Sequence, residues 1–176
     1  ADGVIVAHCA SPLILRPKLT FVGQGRAKAG RSAGPEVLAR LDVSLSRDRE
    51  AAIYQGRLRL ARYLWSQYPS IGYLEPHGLA LPAELDRLLR AAGPFVRTQD
   101  RAAFVPFADA IPAELVAPIA CAGTPEEVAE QLRTVLGAGA DGVMATCRSR
   151  RARPWRVSSI STPRWSACSA RRSLRA

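Results

Sequence analysis

The sequence predicts a parallel α/β fold, and three features carry this prediction. Short apolar segments of strand length alternate with longer segments of helical character along the 176 residues. No Asn-Gly dipeptide joins two of the predicted strands, so hairpins are not favoured. The tetrapeptide Ala-Asp-Gly-Val opens an apolar strand twice, at residues 1–4 and at residues 140–143. Repetition of a strand-opening signature indicates repeated β/α units.

The first predicted strand is residues 3–8, an apolar segment that ends at a Ser-Pro turn signal. Residues 13–22 are also apolar but contain Pro17, which predicts a short broken helix. The next residues, 23–35, are mostly small and predict a surface loop. Their Gly-Gln-Gly segment lacks both the third glycine and the Lys-Ser ending of a phosphate-binding loop, so no nucleotide site is predicted there.

A second strand and a long helix are predicted in the middle of the chain. Residues 37–46 alternate between apolar and polar side chains, as a strand does. Ser46 or Asp48 is placed to cap a helix over residues 49–66, whose arginines are interpreted as solvated or as snorkelling, with the stem buried and the charged group in water. Two shorter helices are predicted to follow, over residues 83–92 and 109–120.

The clearest local signals lie in residues 121–146, which predict a helix followed by a buried strand. Thr124 has an N-cap hydroxyl, and Pro125 suits the first helical position. Glu127 lies three residues after Thr124, so the two side chains can close a capping box. Glycines follow the helix, and residues 142–146 form a short apolar segment typical of a buried parallel strand. The apolar stripe of this helix is Val128, Leu132, Val135 and Leu136.

The positive charge of the chain is confined to its C-terminal tail. The net charge is +10, yet residues 148–176 contain nine arginines and no acidic residue. Residues 1–147 are nearly neutral, as in an ordinary enzyme. The tail has no helical or strand period, so we predict that it is disordered and interpret it as a shifted reading frame. The alternative, a nucleic-acid-binding tail, predicts salt-dependent binding that is lost when residues 148–176 are deleted.

Cysteine usage and hydropathy favour a cytoplasmic protein that does not bind a membrane. No segment reaches the roughly 18 apolar residues of a membrane span, and no signal peptide opens the chain. Because the chain begins almost directly in a strand, we expect it to be a piece of a longer protein. The cysteines are scattered without a metal-binding spacing and are predicted to be free thiols: Cys9, Cys121, Cys147 and Cys168.

Five stretches in order carry a family resemblance: Ala-Asp-Gly-Val-Ile-Val at 1–6, Ala-Gly-Arg at 29–31, Asp-Val-Ser-Leu-Ser-Arg-Asp with Glu-Ala within 42–51, Gly-Thr-Pro-Glu-Glu-Val at 123–128 and Gly-Ala-Asp-Gly-Val at 139–143. Over residues 1–147 this set resembles the C-terminal half of the luciferase-like monooxygenases. It is most similar to members that use the deazaflavin coenzyme F-420 rather than FMN.

The resemblance implies a partial (β/α)8 TIM barrel, with residues 3–8, 38–45 and 142–146 as its last three strands. It also implies an oxidoreductase or monooxygenase that transfers a hydride, or inserts oxygen, on a small organic substrate with paired-donor, CH-NH or CH-OH chemistry. Much of the coenzyme pocket, including its phosphate grip, would precede residue 1, so we expect this chain alone to bind F-420 or FMN only weakly. A catalytically inactive truncated remnant is the alternative, and a homo-oligomer is left open because the strand edges are exposed.

The resemblance places candidate site residues at the carboxyl ends of the strands, where barrels of this kind have their active sites. Ala7 and His8 are predicted to lie close to the coenzyme, while no catalytic residue is identified. His8 would donate a hydrogen bond or relay a proton there, or else be an ordinary hydrogen-bonded histidine at a strand end. An aromatic group after the second strand would wall a substrate pocket or simply pack against the barrel: Trp65, Tyr68 and Tyr73. The other strand-end candidates are Cys9, Ser44, Ser46, Thr146 and Cys147.

Overall fold

The computed structural model describes residues 2–72, residues 74–147 and a three-residue strand at 155–157. This part of the chain contains a single sheet of four parallel strands and one antiparallel edge strand. The predicted parallel α/β fold is therefore confirmed. The strands are β1 (Gly3–Ala7), β2 (Glu36–Leu45), β3 (Cys121–Gly123), β4 (Gly142–Cys147) and β5 (Trp155–Val157).

Strand β2 is the centre of the sheet, because β1 and β4 both pair with it in parallel. Gly3 lies opposite Glu36, and Gly142 lies opposite Leu38. The two copies of Ala-Asp-Gly-Val thus open the two strands that flank β2, as the repeat predicts. Asp141 links the second copy to β2, since its carboxylate accepts a hydrogen bond of 2.7 Å from the backbone N–H of Val37.

Six α-helices connect the strands within the described residues, and two short 3₁₀ turns lie at Glu75–His77 and Ala102–Phe104. None of the helices in this part of the chain is both long enough and apolar enough to cross a membrane. Helices α2 and α3 agree with the sequence prediction to within one residue. The helices are α1 (Pro12–Lys28), α2 (Arg49–Gln67), α3 (Ala83–Ala92), α4 (Val105–Asp109), α5 (Ala113–Val116) and α6 (Pro125–Gly137).

The predicted capping box of α6 is confirmed. Thr124 Oγ1 accepts a hydrogen bond of 3.3 Å from the backbone N–H of Glu127. In return, the Glu127 carboxylate accepts one of 2.8 Å from the N–H of Thr124. At the start of α2, Asp48 rather than Ser46 is the cap, because Asp48 Oδ1 accepts from the N–H of Ala51 at 3.1 Å. Local pairing rules therefore suffice to place both helix starts.

Helix α1 corrects the prediction of a broken helix over residues 13–22 and a loop over 23–35. The helix runs through Pro17 and continues to Lys28. Proline removes only one hydrogen bond here, and the residues after it are mostly good helix formers that tolerate two exposed glycines. The helix is finally ended by Gly30, whose φ of 62° suits the left-handed conformation after a helix.

The region before α6 also differs from the sequence prediction. In place of one helix over residues 109–120 there are two short helices, α4 and α5, separated by a turn that contains Pro112. Proline disfavours the helical conformation of the residue before it, which favours the break at this point. Strand β3 was not predicted, because three small residues carry no readable strand period. It pairs in parallel with the last three residues of β2.

The tail prediction falls mostly outside the described residues, which include only 155–157 of the residues after 147. These three form β5, antiparallel to β4, with Val157 opposite Val143. The prediction of a disordered tail stays a prediction, because the rest of the tail lies outside the described residues. The open edge of β4 offers unpaired backbone groups, and a Trp-Arg-Val segment has the β propensity to pair with them.

The two faces of the sheet have opposite characters. On one face, Ala39 and Leu41 are fully buried, and Val43 and Val143 are nearly so. On the other face, Ile5 is 57% exposed and the polar side chains of β2 are found. Because side chains alternate along a strand, β2 carries the apolar core on one side and the polar side chains of the candidate site on the other.

Candidate functional site

Helix α2 runs over the carboxyl ends of the parallel strands. Near its middle, Arg59 Nη1 donates a hydrogen bond of 2.6 Å to the carbonyl oxygen of Thr146, at the end of β4. One turn later, Tyr63 stacks on His8, directly after β1, with the ring centroids 3.7 Å apart. The helix therefore forms a wall above the sheet edge where active sites of parallel barrels lie.

A cavity of about 540 Å³ lies between this wall and the strand ends. Three parts of the chain line it: the ends of the strands, one side of α2 and the segment before α4. Of the candidates predicted from the sequence, His8 and Thr146 are brought together on its wall. This volume is within the range of small-molecule and cofactor sites.

His8 has an unusual backbone that sets its position. Its φ is +54°, in the left-handed region that residues other than Gly uncommonly adopt, although His is enriched there with Asn and Asp. Its N–H still donates to the carbonyl of Arg40 at 3.3 Å, so β1 is prolonged by one hydrogen bond while the chain turns. The imidazole is 17% exposed and stacks on Tyr63.

The electrostatic surroundings of His8 favour its neutral form. Burial lowers the pKa of the imidazole from its ordinary value of 6.5 and is the largest influence. The carboxylate of Asp42, 3.9 Å from Nδ1, acts in the opposite direction, while the charges of Arg40 and Lys18 lower the pKa further. At neutral pH the ring is therefore uncharged, with one nitrogen that donates and one that accepts.

Asp42 belongs to a small network that joins β2, β4 and α2. The hydroxyl of Thr146 donates to Asp42 Oδ1 at 2.7 Å and also lies 3.0 Å from the carbonyl oxygen of Leu41. Arg59 Nη1 is 3.8 Å from the same carboxylate oxygen. The Arg59 side chain is only 17% exposed, so this arginine is largely withdrawn from solvent rather than fully solvated.

Asp42 and the arginines around it were not recognised as site residues from the sequence. The signal for Asp42 is its position: a carboxylate in the middle of a strand, between the buried Leu41 and Val43, must lie on the opposite face. The signal on α2 is helical spacing, because polar side chains recur at i, i+4, i+7 and i+11 and so share one side of the helix. Those four residues are Gln55, Arg59, Arg62 and Ser66.

The remaining strand-end candidates are not among the residues that line the cavity. Ala7 precedes His8, and its carbonyl oxygen accepts a hydrogen bond of 2.6 Å from Lys18 Nζ. Burial raises the pKa of the Cys9 thiol to about 11, and it also raises that of Cys147. Neither thiol is therefore an activated nucleophile. The hydroxyl of Ser46 accepts a hydrogen bond from the N–H of Asp48. Ser44 is 6% exposed.

The three aromatic candidates after the second strand do not share one environment. Trp65 is 7% exposed, lies against Phe104 and Phe107, and donates from its indole N–H to the carbonyl of Gly93 at 3.0 Å. It is a packing residue that supports Phe104 on the cavity wall. Tyr68 donates to the carboxylate of Asp86, and Tyr73 lies outside the described residues.

The chemistry of the cavity is that of a binding site for an organic molecule. In the described part of the chain, no three His, Cys, Asp or Glu side chains lie together as metal ligands. The cavity instead offers stacked rings, apolar side chains and guanidinium groups. Such a surface binds planar and anionic groups.

Comparison with known proteins supports the fold and the family. The structure is similar to that of the coenzyme F-420-dependent tetrahydromethanopterin reductase from Methanopyrus kandleri, with a TM-score of 0.63 and 22% sequence identity. The match covers 83% of this chain and 40% of that protein, and at this identity it shows the fold alone. Among curated proteins there is no significant match.

The family model described as luciferase-like monooxygenase matches residues 1–142. This range contains β1 to β3, all six helices and the first residue of β4, so it includes almost the whole described fold. His8, Arg40 and Asp42, with the whole of α2, lie inside it. The resemblance seen in the sequence is thereby confirmed: the chain belongs to the luciferase-like monooxygenase family and has the fold of part of a TIM-barrel-like member of it.

Proposed function

We propose that this chain forms the C-terminal part of the coenzyme and substrate pocket of a deazaflavin- or flavin-dependent oxidoreductase, with F-420 favoured over FMN. The observation that carries the proposal is the cavity at the carboxyl ends of the parallel strands, in a chain of this family. The similarity to an F-420-dependent reductase supports the choice of coenzyme. The substrate is a small organic molecule, and the free buried thiols fit a reducing cytoplasm.

The residues of the cavity fit a coenzyme of this kind. A planar aromatic ring system needs flat or apolar walls, and the cavity has the stacked His8 and Tyr63 rings together with Leu58 and Phe104. Negatively charged coenzyme groups need cationic partners, and arginines are present in the same cavity. Ala7 and His8, at the end of β1, are the residues proposed to lie against the coenzyme.

When bound, the coenzyme supplies the hydride chemistry, or with FMN the activation of oxygen. The chain positions the ligands, and α2 shields one side of the site from water. His8 is neutral at neutral pH and can hold a hydrogen bond to a ligand through either ring nitrogen. Should the ring take a proton, the nearby Asp42 carboxylate would stabilise the imidazolium.

Fluorescence of the coenzyme tests this proposal directly. Titrating the 176-residue chain into F-420, and separately into FMN, should give weak but saturable quenching that is stronger for F-420. His8→Asn is the informative variant, because asparagine tolerates the positive φ of this position but lacks the ring. We expect it to weaken the quenching.

The matched control is His77→Asn, which changes the other histidine of the chain in a turn outside the cavity. It should leave the quenching unchanged. If neither coenzyme is quenched, or if the two variants behave alike, then His8 does not lie at a coenzyme site.

A further inference from the structure

The described lining of the cavity carries far more positive than negative charge. Four arginines line it, and among the described lining residues the one carboxylate is that of Asp42. Asp42 is already engaged, because it lies 3.8 Å from Arg59 and accepts the hydroxyl hydrogen of Thr146. This leaves three guanidinium groups without a balancing carboxylate on the wall: Arg40, Arg62 and Arg101, which we call the arginine cluster.

The arginine cluster is built from three separate parts of the chain. Arg40 is on the cavity side of β2, two residues before Asp42, and Arg62 is on α2, three residues after Arg59. Arg101 comes from the segment before α4 and donates to the side-chain oxygen of Gln55. The fold thus brings distant basic residues to one cavity, although like charges repel.

The neighbours of the arginine cluster do not neutralise it. In residues 2–72 and 74–147, the ion pairs include none formed by Arg40, Arg62 or Arg101. Elsewhere in the same region some arginines are paired, as Arg90 is with Asp86 on α3, and others, such as the exposed Arg16, form none of these ion pairs. What distinguishes the arginine cluster is that three arginines without an ion pair in the described residues line one cavity.

We propose that the arginine cluster binds an oxyanion, a carboxylate or a phosphate, of the small molecule that occupies the cavity. The planar guanidinium donates paired N–H groups in the geometry that both oxyanions accept. A cleft lined by one sign of charge also concentrates ions of the other sign. The oxyanion belongs either to the substrate or to the coenzyme itself. This assignment rests on the proposed function, whereas the oxyanion site itself does not.

Calorimetric titration with inorganic pyrophosphate, and separately with citrate, tests the inference on the full 176-residue chain at constant ionic strength. Saturable binding is expected, and Arg40→Gln and Arg62→Gln should each weaken it by about tenfold, the effect of losing a charged hydrogen bond. Arg16→Gln removes an equal charge from the exposed side of α1 and should leave the affinity unchanged. This control matters because the arginine-rich tail also attracts anions.

Equal affinity in the wild type and all three variants, or no saturable binding, would overturn the inference. Thermal midpoints of the variants should match the wild type, which shows that weakened binding does not come from unfolding. A variant whose midpoint falls is replaced by the corresponding lysine variant. That variant keeps the charge but loses the paired N–H groups, and it should bind pyrophosphate less tightly than the wild type.

Repeating the titration with F-420 present, while following its fluorescence, separates the two sources of the oxyanion. Displacement of F-420 by pyrophosphate assigns the arginine cluster to the coenzyme. Pyrophosphate binding while F-420 stays bound assigns the cluster to the substrate. If F-420 fluorescence never changes but the arginine-dependent binding of pyrophosphate persists, then the oxyanion site stands and the proposed coenzyme is wrong.

Discussion

The two faces of strand β2 contrast at neighbouring residues. Leu41 is fully buried on the face that packs against the helices. Arg40 and Asp42, directly before and after it, line the cavity. One strand therefore contributes both to the core and to the candidate site, because the side chains of successive residues lie on opposite faces of the sheet.

This contrast teaches that stability and binding are separable in this fold. The buried face is continuous and apolar, so each side chain there contributes by excluding water and filling space. The cavity face keeps polar and charged groups partly in contact with solvent, which contributes little to stability. Substitutions on the two faces should therefore affect different measurements.

The largest expected effect is on the buried face. Leu41→Ala leaves a cavity in a fully buried position and should lower the free energy of unfolding by about 3 kcal/mol. Urea unfolding followed by circular dichroism measures this. A loss below about 1 kcal/mol would mean that Leu41 does not belong to a close-packed core.

The buried face was the more predictable of the two from the sequence. The alternation around Leu41 and the capping box of Thr124 are local signals, and both correctly placed their elements. The cavity depends instead on contacts between residues far apart in the chain, such as His8 with Tyr63 and Thr146 with Arg59. A pattern read in a short window contains no information about such pairs.

Helix α1 shows the opposite failure, in which local signals were present but misleading. Pro17 and the glycines at 23 and 25 predicted a break, yet the helix continues to Lys28. Its Ile14 and Leu15 are buried in the core, and this packing holds the first turns in place. Packing against the core therefore stabilises a helix whose intrinsic helix propensity is weak.

The next largest effect should come from the cap of α6, a helix that covers the buried face. Thr124→Ala removes the acceptor for the Glu127 N–H and should lower the free energy of unfolding by about 1 kcal/mol. Pyrophosphate affinity should stay the same, since α6 does not line the cavity. Thr124→Ser, which retains the hydroxyl, is the control and should behave like the wild type.

Lowering the pH should reduce the stability of the folded chain through His8. The pKa of His8 is lowered on folding, so below its ordinary value of 6.5 the unfolded chain binds more protons than the folded one. The stability tied to neutral His8 is fully present above that pH and is lost as the pH falls through it. Urea midpoints between about pH 8 and about pH 5 should therefore fall less steeply in His8→Asn. Equal slopes would show that the imidazole titrates normally in the folded chain.

The smallest effect on stability is expected at Arg40, which is adjacent in sequence to Leu41, where the largest effect is expected. Arg40→Gln removes an exposed charge that has no ion-pair partner in the described residues, so the free energy of unfolding should change by less than about 0.5 kcal/mol. Pyrophosphate affinity should nevertheless fall in this variant, whereas Leu41→Ala should lower stability without a matching loss of affinity per folded molecule. If Arg40→Gln instead destabilised the chain as strongly as Leu41→Ala, the arginine would be a structural residue, and the separation of the two faces of β2 would be wrong.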